Sequence, residues 1–228
     1  MAKLFATKNA AITALIKIEK AEEGYLEKKS AAKLYSKTEN AGYNNYTKYW
    51  RDLAKEGLMG QSSTFAGGPA WYWCAGLQSW CFIKAFGKEN AKKLLLHLPY
   101  TSCAQMGSLA SAHKQLGKTP HRGDIVLFWN GSRFSHTGLV YKVENGRFYT
   151  VEGNTNKSDA VVPNGGAVCL KSYLTATYVA KGTRFFTPDY SIVVEKKKKT
   201  TTTKKTATTK TTAAKKTTTT KKTATVTV

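Results

Sequence analysis

Acidic residues are scarce in this chain: 14 Asp and Glu stand against 36 Lys and Arg, for a formal charge of +22. A surface so short of carboxylates is drawn to polyanions, whether nucleic acid, anionic membrane or anionic wall polymer. No RNA- or DNA-binding motif is present, so a specific nucleic-acid partner is not expected. Cysteine is scarce too, limited to Cys74, Cys81, Cys103 and Cys169. There is no CxxC and no Cys/His cluster with zinc-ligand spacing, which removes the zinc-site readings. Four cysteines would allow two disulfides in a secreted protein, but reduced thiols are the expectation because one of them sits in a catalytic context. Long apolar runs are missing: none approaches the roughly 18 residues of a membrane span. Lys3, Lys8, Lys17, Glu19 and Lys20 interrupt the N-terminal segment and leave no h-region for a signal peptide. There is no internal repeat. From Lys196 onward aromatic residues are absent as well; the stretch is almost wholly Lys, Thr and Ala, with 11 Lys and no acid. Such a segment buries too little apolar surface to offset its ordering entropy and is expected to be disordered.

What remains is enough for one ordinary domain. The reading is an N-terminal helical segment at 1–30 packed on a catalytic domain at 31–190, followed by a low-complexity Lys/Thr tail at 191–228. Residues 8–23 have helical spacing, with Ala11, Ile12, Leu15, Ile16, Ile18 and Glu19 along the inner side and Gly24 as a C-cap. A polar, Tyr-rich stretch follows from Ser36 to Tyr49. Trp50, Leu53, Leu58 and Met59 mark a second short helix, and Gly60 to Pro69 reads as a loop. The segment from Ala70 to about Gly87 reads as a buried helix started by Gly67-Gly68-Pro69, and 104–116 as a weaker one. From Gly123 the period changes to that of strands: Ile125–Trp129, Thr137–Val143, Arg147–Glu152, then Val161–Leu170 and Tyr178–Phe186. Helices first and strands afterwards indicate an α+β domain with an antiparallel sheet.

The candidate chemistry begins with Cys74. A nucleophilic cysteine needs its thiolate form, and the unpaired N–H groups at a helix start favour negative charge there. An isolated cysteine is more often a core residue, and what shifts the balance is His136, which opens a strand directly after a polar loop. Glu152, with Asn154 two residues on, adds polar groups able to orient the imidazole. The hairpin decides whether they meet. A two-residue Asn145-Gly146 turn would pair Glu144 with Arg147 and put His136 and Glu152 on opposite faces. A three-residue loop, Glu144-Asn145-Gly146, pairs Val143 with Arg147 and brings His136, Glu152 and Asn154 together. The second register is the one predicted. Trp71, Tyr72, Trp73 and Trp80 are candidates to shape a substrate cleft, with core packing as the alternative.

Trp71-Tyr72-Trp73-Cys74-Ala75, Gly123-Asp124-Ile125-Val126, Ser135-His136-Thr137-Gly138-Leu139-Val140 and Val151-Glu152-Gly153-Asn154-Thr155 together resemble CHAP domains, the cysteine, histidine-dependent amidohydrolases/peptidases. Upstream, Glu23-Gly24-Tyr25-Leu26-Glu27-Lys28 and Asn44-Asn45-Tyr46-Thr47-Lys48-Tyr49 look like the leading part of phage and prophage lysins. The resemblance implies a papain-like, NlpC-like fold and a peptidoglycan amidase or endopeptidase without cofactor. It makes Cys74 the nucleophile, His136 the base, Glu152 the orienting residue and Asn154 a fourth site residue. Some members bind calcium through clustered acids near the nucleophile; no such cluster occurs here, so no required metal is expected. Relatives often carry a folded wall-binding repeat where this chain has its Lys/Thr tail, a candidate tether to anionic wall polymers. A monomer is expected, retained in the host cytoplasm until lysis or associated with a phage, acting at the wall. The competing class is an inactive basic protein that binds wall polymer or nucleic acid.

Overall fold

Apolar and capping residues set the first helix. The structure, a computed structural model, describes residues 4–59 and 71–196. Thr7 accepts a hydrogen bond from the Ala10 N–H and starts α1, Lys8–Lys20. Ala11, Leu15 and Ile16 enter the main core, where they meet the later helices. The helix stops three residues before the predicted end, and the chain turns away through Gly24 in the left-handed region (φ +80°).

Glu19 is the one acid on the buried side of α1. Gln78 Nε2 donates to its Oε1 at 2.6 Å, while Glu19 Oε2 and Gln78 Oε1 have no partner among the described residues. Burial pushes the Glu19 pKa from 4.5 to about 8, against the Gln78 hydrogen bond, which lowers it. The folded protein thus holds this proton where the unfolded chain releases it, and stability falls as pH rises from 4.5 to about 8. Glu19→Gln, which never ionises, is expected to raise stability at pH 7 by on the order of 2 kcal/mol and leave it unchanged near pH 4. Denaturant melts at the two pH values check this; equal shifts at both would contradict it.

Thr47 caps α2, Lys48–Lys55, which buries Tyr49, Trp50 and Leu53. Leu58 and Met59 pack on the core from beyond the helix end. The predicted helix from Ala70 begins four residues late: α3 runs Cys74–Phe86 with Trp73 as an N-cap that offers no side-chain hydrogen bond. The Gly67-Gly68-Pro69 start lies outside the described residues, as does all of the predicted 60–69 loop. Helix α4, Lys88–Leu95, was not expected from the sequence. Its Lys-rich stretch reads as surface, yet Ala91, Leu94 and Leu95 sit in the core. Helix α5, Cys103–Ala112, lies in the predicted region and is capped by Ser102.

The strands are β1, Leu116–Gly117; β2, Ile125–Trp129; β3, Phe134–Glu144; β4, Arg147–Thr155; β5, Ala167–Leu174; and β6, Arg184–Phe186. They form one antiparallel sheet in the order β1-β6-β2-β3-β4-β5. Two strand expectations need correction. Val161 precedes β5, which starts only at Ala167. Tyr178–Phe186 is not one strand: α6, Thr175–Ala180, takes its first three residues, and the strand starts only at Arg184. Tyr178 and Val179 cover an aromatic cluster instead of joining the ladder.

Alternation along the strands divides two cores. Ile125, Leu127, Leu139 and Val151 face the helices. Val126, Phe128, Val140, Phe148, Tyr173 and Phe185 fill the opposite side. A short 3₁₀ turn, Tyr190–Val193, buries Tyr190 and Val193, and Phe5 pairs with Val194, so folded chain runs past the expected boundary at 190. The expected disorder of the tail falls outside the described residues beyond Lys196. Among the described residues no helix is long and apolar enough to cross a membrane.

The hairpin register overturns one expectation and keeps its consequence. Glu144 pairs with Arg147, leaving the two-residue Asn145-Gly146 turn, with both residues at positive φ (+50° and +70°), as a type I′ turn requires. The predicted three-residue loop is therefore wrong. The ladder then slips at Tyr141: Lys142 pairs with Tyr149, but Val140 pairs with Thr150. This bulge shifts the register by one and reverses which face each later residue of β4 meets.

Candidate active site

Beyond the bulge, Leu139 pairs with Val151, which places Glu152 across from Gly138 and on the same face as His136. His136 Nε2 lies 3.0 Å from Glu152 Oε2, and both side chains are fully buried. Phe128, opposite His136 on β2, stacks its ring on the imidazole at 5.7 Å between centroids. Thr150 donates to Glu152 Oε1, and Tyr173 Oη donates to Oε2. Glu152 is thus held from three sides, and it fixes one ring nitrogen of His136.

The other ring nitrogen, Nδ1, has no hydrogen-bond partner of ordinary geometry among the described residues. The imidazole nevertheless interacts with the Cys74 thiol, and each shifts the other. Burial alone would lower the His136 pKa; hydrogen bonding and charge from Cys74 and Glu152 outweigh it and raise the pKa from 6.5 to about 9. The Cys74 thiol goes well below its usual value. A hydrogen bond from Cys103 contributes most, burial opposes, and His136 and the Ala75 N–H add to the lowering. Cys74 is the first residue of α3, where the N–H groups of the first turn lack intrahelical partners and favour negative charge. The shifts run in the directions that favour a thiolate–imidazolium pair, the state a nucleophilic cysteine requires.

Cys74 is only 4% exposed, but its sulfur is not sealed in. It lines a cleft of about 270 Å³ with Tyr72, Thr101, Cys103, Arg133 and Ser135. A neighbouring hollow of about 490 Å³ takes Trp71, Tyr72, Thr101 and Asn45 as its walls. Another cavity of about 270 Å³, lined by Tyr141, Tyr149, Lys157 and Lys171 among others, contains neither cysteine nor histidine.

Residues 64–154 match the model of the CHAP domain. That stretch resembles a CHAP domain. The matched span contains Cys74, His136, Glu152 and Asn154. No curated protein sequence matches the chain. Among solved structures it is similar to Ly7917, at 15% identity and a TM-score of 0.35, with 80% of this chain and 63% of that one covered. It is also similar to Ly7917 with the hydrolyzing product of MDP, at 13% identity and a TM-score of 0.35, covering 78% of this chain and 63% of that one. The chain therefore spans less than two thirds of either structure's length.

Within the matched span the four aromatic candidates separate. Trp71 and Tyr72 are 50% and 60% exposed; Tyr72 lines the cleft, and both line the neighbouring hollow. Trp73 and Trp80 do not shape it. Trp73 is fully buried, stacked on Tyr49, with its Nε1–H donating to Glu27 Oε2 at 2.7 Å. Trp80 packs edge-on to Tyr49 and donates to Asp52. A Trp that finds both a ring partner and an acceptor for its N–H is satisfied as core. Asn154 is buried at positive φ (+57°), and neither amide atom has a partner among the described residues.

Sequence reasoning missed Thr150, Tyr173 and Cys103. Thr150 carries the one available signal, since in a strand residues two apart share a face. Tyr173 and Cys103 come from elements whose placement no local pattern gives.

Gly138 is a requirement of the same geometry. A Cβ there would stand 2.5 Å from Glu152 Cγ and 2.6 Å from the Val151 carbonyl oxygen. The carboxylate lies where a side chain would otherwise be. Gly138→Ala is expected to displace Glu152, cost about 1–3 kcal/mol of stability and reduce hydrolysis at least tenfold. Thermal melts and a hydrolysis assay on the same preparation check it, and a variant with wild-type activity would contradict the placement.

Proposed function

We propose that this chain is a peptidoglycan hydrolase that cuts an amide bond of the bacterial wall through cysteine chemistry, as an N-acetylmuramoyl-L-alanine amidase or a peptide endopeptidase. The observation that carries the reading is the Cys74 thiol at an uncapped helix start, paired with a Glu152-held His136, and open to a cleft inside the stretch that resembles a CHAP domain. In this reading the Cys74 thiolate attacks the amide carbonyl, and the α3 N-terminal N–H groups face the oxyanion. The His136 imidazolium gives its proton to the leaving amine, and a thioester remains. His136, now neutral, takes a proton from water as it attacks the thioester; the acid is released and the thiolate returns. Asn154 is the fourth site residue of the proposal, with its unpaired amide as support. Trp71 and Tyr72 form the aromatic wall against which substrate lies.

A phage or prophage lysin fits this chemistry, acting as a monomer at the wall and reaching it at lysis, with the Lys/Thr tail as an electrostatic tether to anionic wall polymer. Two measurements test the proposal. Purified protein should clear a suspension of isolated walls, and mass spectrometry of the released fragments should show a new amine either at L-Ala or within the peptide bridge. Wall binding without any new amine would favour the inactive basic binder instead. Salt-insensitive wall binding that survives removal of residues 196–228 would remove the tether.

A further inference from the structure

The proposed reaction uses one thiol, yet the structure sets two side by side. Cys74 Sγ and Cys103 Sγ lie 3.6 Å apart. Each is the first residue of its helix, α3 and α5, and both line the same cleft. All four cysteines are free, and Cys81 and Cys169 have no sulfur partner among the described residues. A disulfide needs about 2.05 Å between sulfurs, so this pair has to close by about 1.5 Å. The two thiols are also unequal. Cys103 is pushed well above the usual thiol value, first by its hydrogen bond to Cys74, so it keeps its proton beside the Cys74 thiolate. A reactive thiolate in contact with a protonated thiol is the arrangement of an attacking and a resolving cysteine.

We propose that Cys74 and Cys103 form a reversible oxidation site that takes a hydroperoxide, with Cys103 resolving the oxidised nucleophile. The Cys74 thiolate attacks the peroxide oxygen, the O–O bond breaks, and an alkoxide or hydroxide leaves, giving Cys74–SOH. The Cys103 sulfur then attacks Cys74 Sγ, and its proton leaves with the hydroxyl as water, giving Cys74–S–S–Cys103. Two thiols are oxidised and one peroxide is reduced. The closed form has no nucleophile, and a dithiol reductant reopens it. Resolution also diverts Cys74 from the irreversible sulfinic state. Loss of hydrolysis on oxidation rests on the function proposed above; formation of the bridge does not.

The test is hydrogen peroxide treatment of the full chain, alkylation, and non-reducing trypsin digestion. Wild-type protein should yield the tryptic peptide 56–84 linked to 94–114. That first peptide holds both Cys74 and Cys81, so fragmentation must place the bridge at Cys74, and Cys81→Ser should link as wild type does. Wall hydrolysis should fall about tenfold or more and return with dithiothreitol. With peroxide in excess, Cys103→Ser should show no link, and its Cys74 should go on from the sulfenic to the sulfinic acid, a loss that dithiothreitol does not reverse. Direct conversion of wild-type Cys74 to the sulfinic acid without a link, or a Cys103→Ser protein that recovers as wild type does, would overturn the proposal. Because peptide mapping needs no hydrolytic activity, a protein that links but does not cut walls would sink the proposed function and leave this site standing.

Discussion

Wall hydrolysis by a Cys74→Ala protein is expected to fall by about three to four orders of magnitude with little change in melting temperature. The two halves of that result have separate physical origins. Removing the sulfur removes the thiolate that forms the acyl intermediate in the proposed reaction, and what remains is the contribution of binding and of the helix N–H groups. The fold loses little, because Cys74 stands at the cleft wall where one side of its contacts is already missing. Its partner His136 is left without the neighbouring thiolate that helps raise its pKa. Cys81→Ala is the matched control. That thiol sits fully buried on the same helix, so its loss should lower stability and spare hydrolysis. Measuring turbidity clearance and thermal melts on both variants gives opposite patterns if Cys74 is the nucleophile; hydrolysis surviving in Cys74→Ala would end the cysteine mechanism.

Glu152→Gln is the second large effect, expected to cut hydrolysis about a hundredfold at pH 7 and to move the alkaline limit of activity downward. The glutamine keeps the volume and can still meet Thr150 and Tyr173, but it brings no charge to Nε2. In the wild type, activity should hold while His136 is protonated and fade as pH rises through about 9. Without the carboxylate, burial acts less opposed and the imidazolium loses its proton at lower pH. The stability change has the same sign. A histidine with a pKa raised from 6.5 to about 9 adds stability that is complete below pH 6.5 and lost by the time pH has passed 9. Glu152→Gln should therefore shrink the stability advantage of neutral over alkaline pH. An unchanged alkaline limb in the pH–rate profile would show that Glu152 does not govern His136.

The hairpin shows how a correct grouping can follow from a wrong local reading. The dipeptide Asn145-Gly146 is a strong signal for a two-residue turn, and the structure has that turn. Setting it aside to bring His136 and Glu152 together amounted to asking for one extra residue between them. The extra residue exists, but at Tyr141, as a bulge within β3. No local pattern marks Tyr141, because a bulge is selected by how a strand must bend to pack on both sides. Trp73 and Trp80 fail to reach the cleft for a related reason. Their indole N–H groups find Glu27 and Asp52, residues 46 and 28 positions away.

The amino-acid sequence alone determined that helices precede strands in an α+β domain with an antiparallel sheet, and the short list of residues able to do nucleophilic chemistry. These depend on period, on turn preference and on side-chain chemistry, all of which act within a few residues along the chain. Tertiary structure decided which side chains meet. It brought Thr150 and Tyr173 to Glu152, set Cys103 against Cys74 from 29 residues away, and kept Trp71 and Tyr72 at the surface while burying Trp73. Contacts of that kind arise when separate elements pack, and a one-residue slip in a single strand is enough to redirect them.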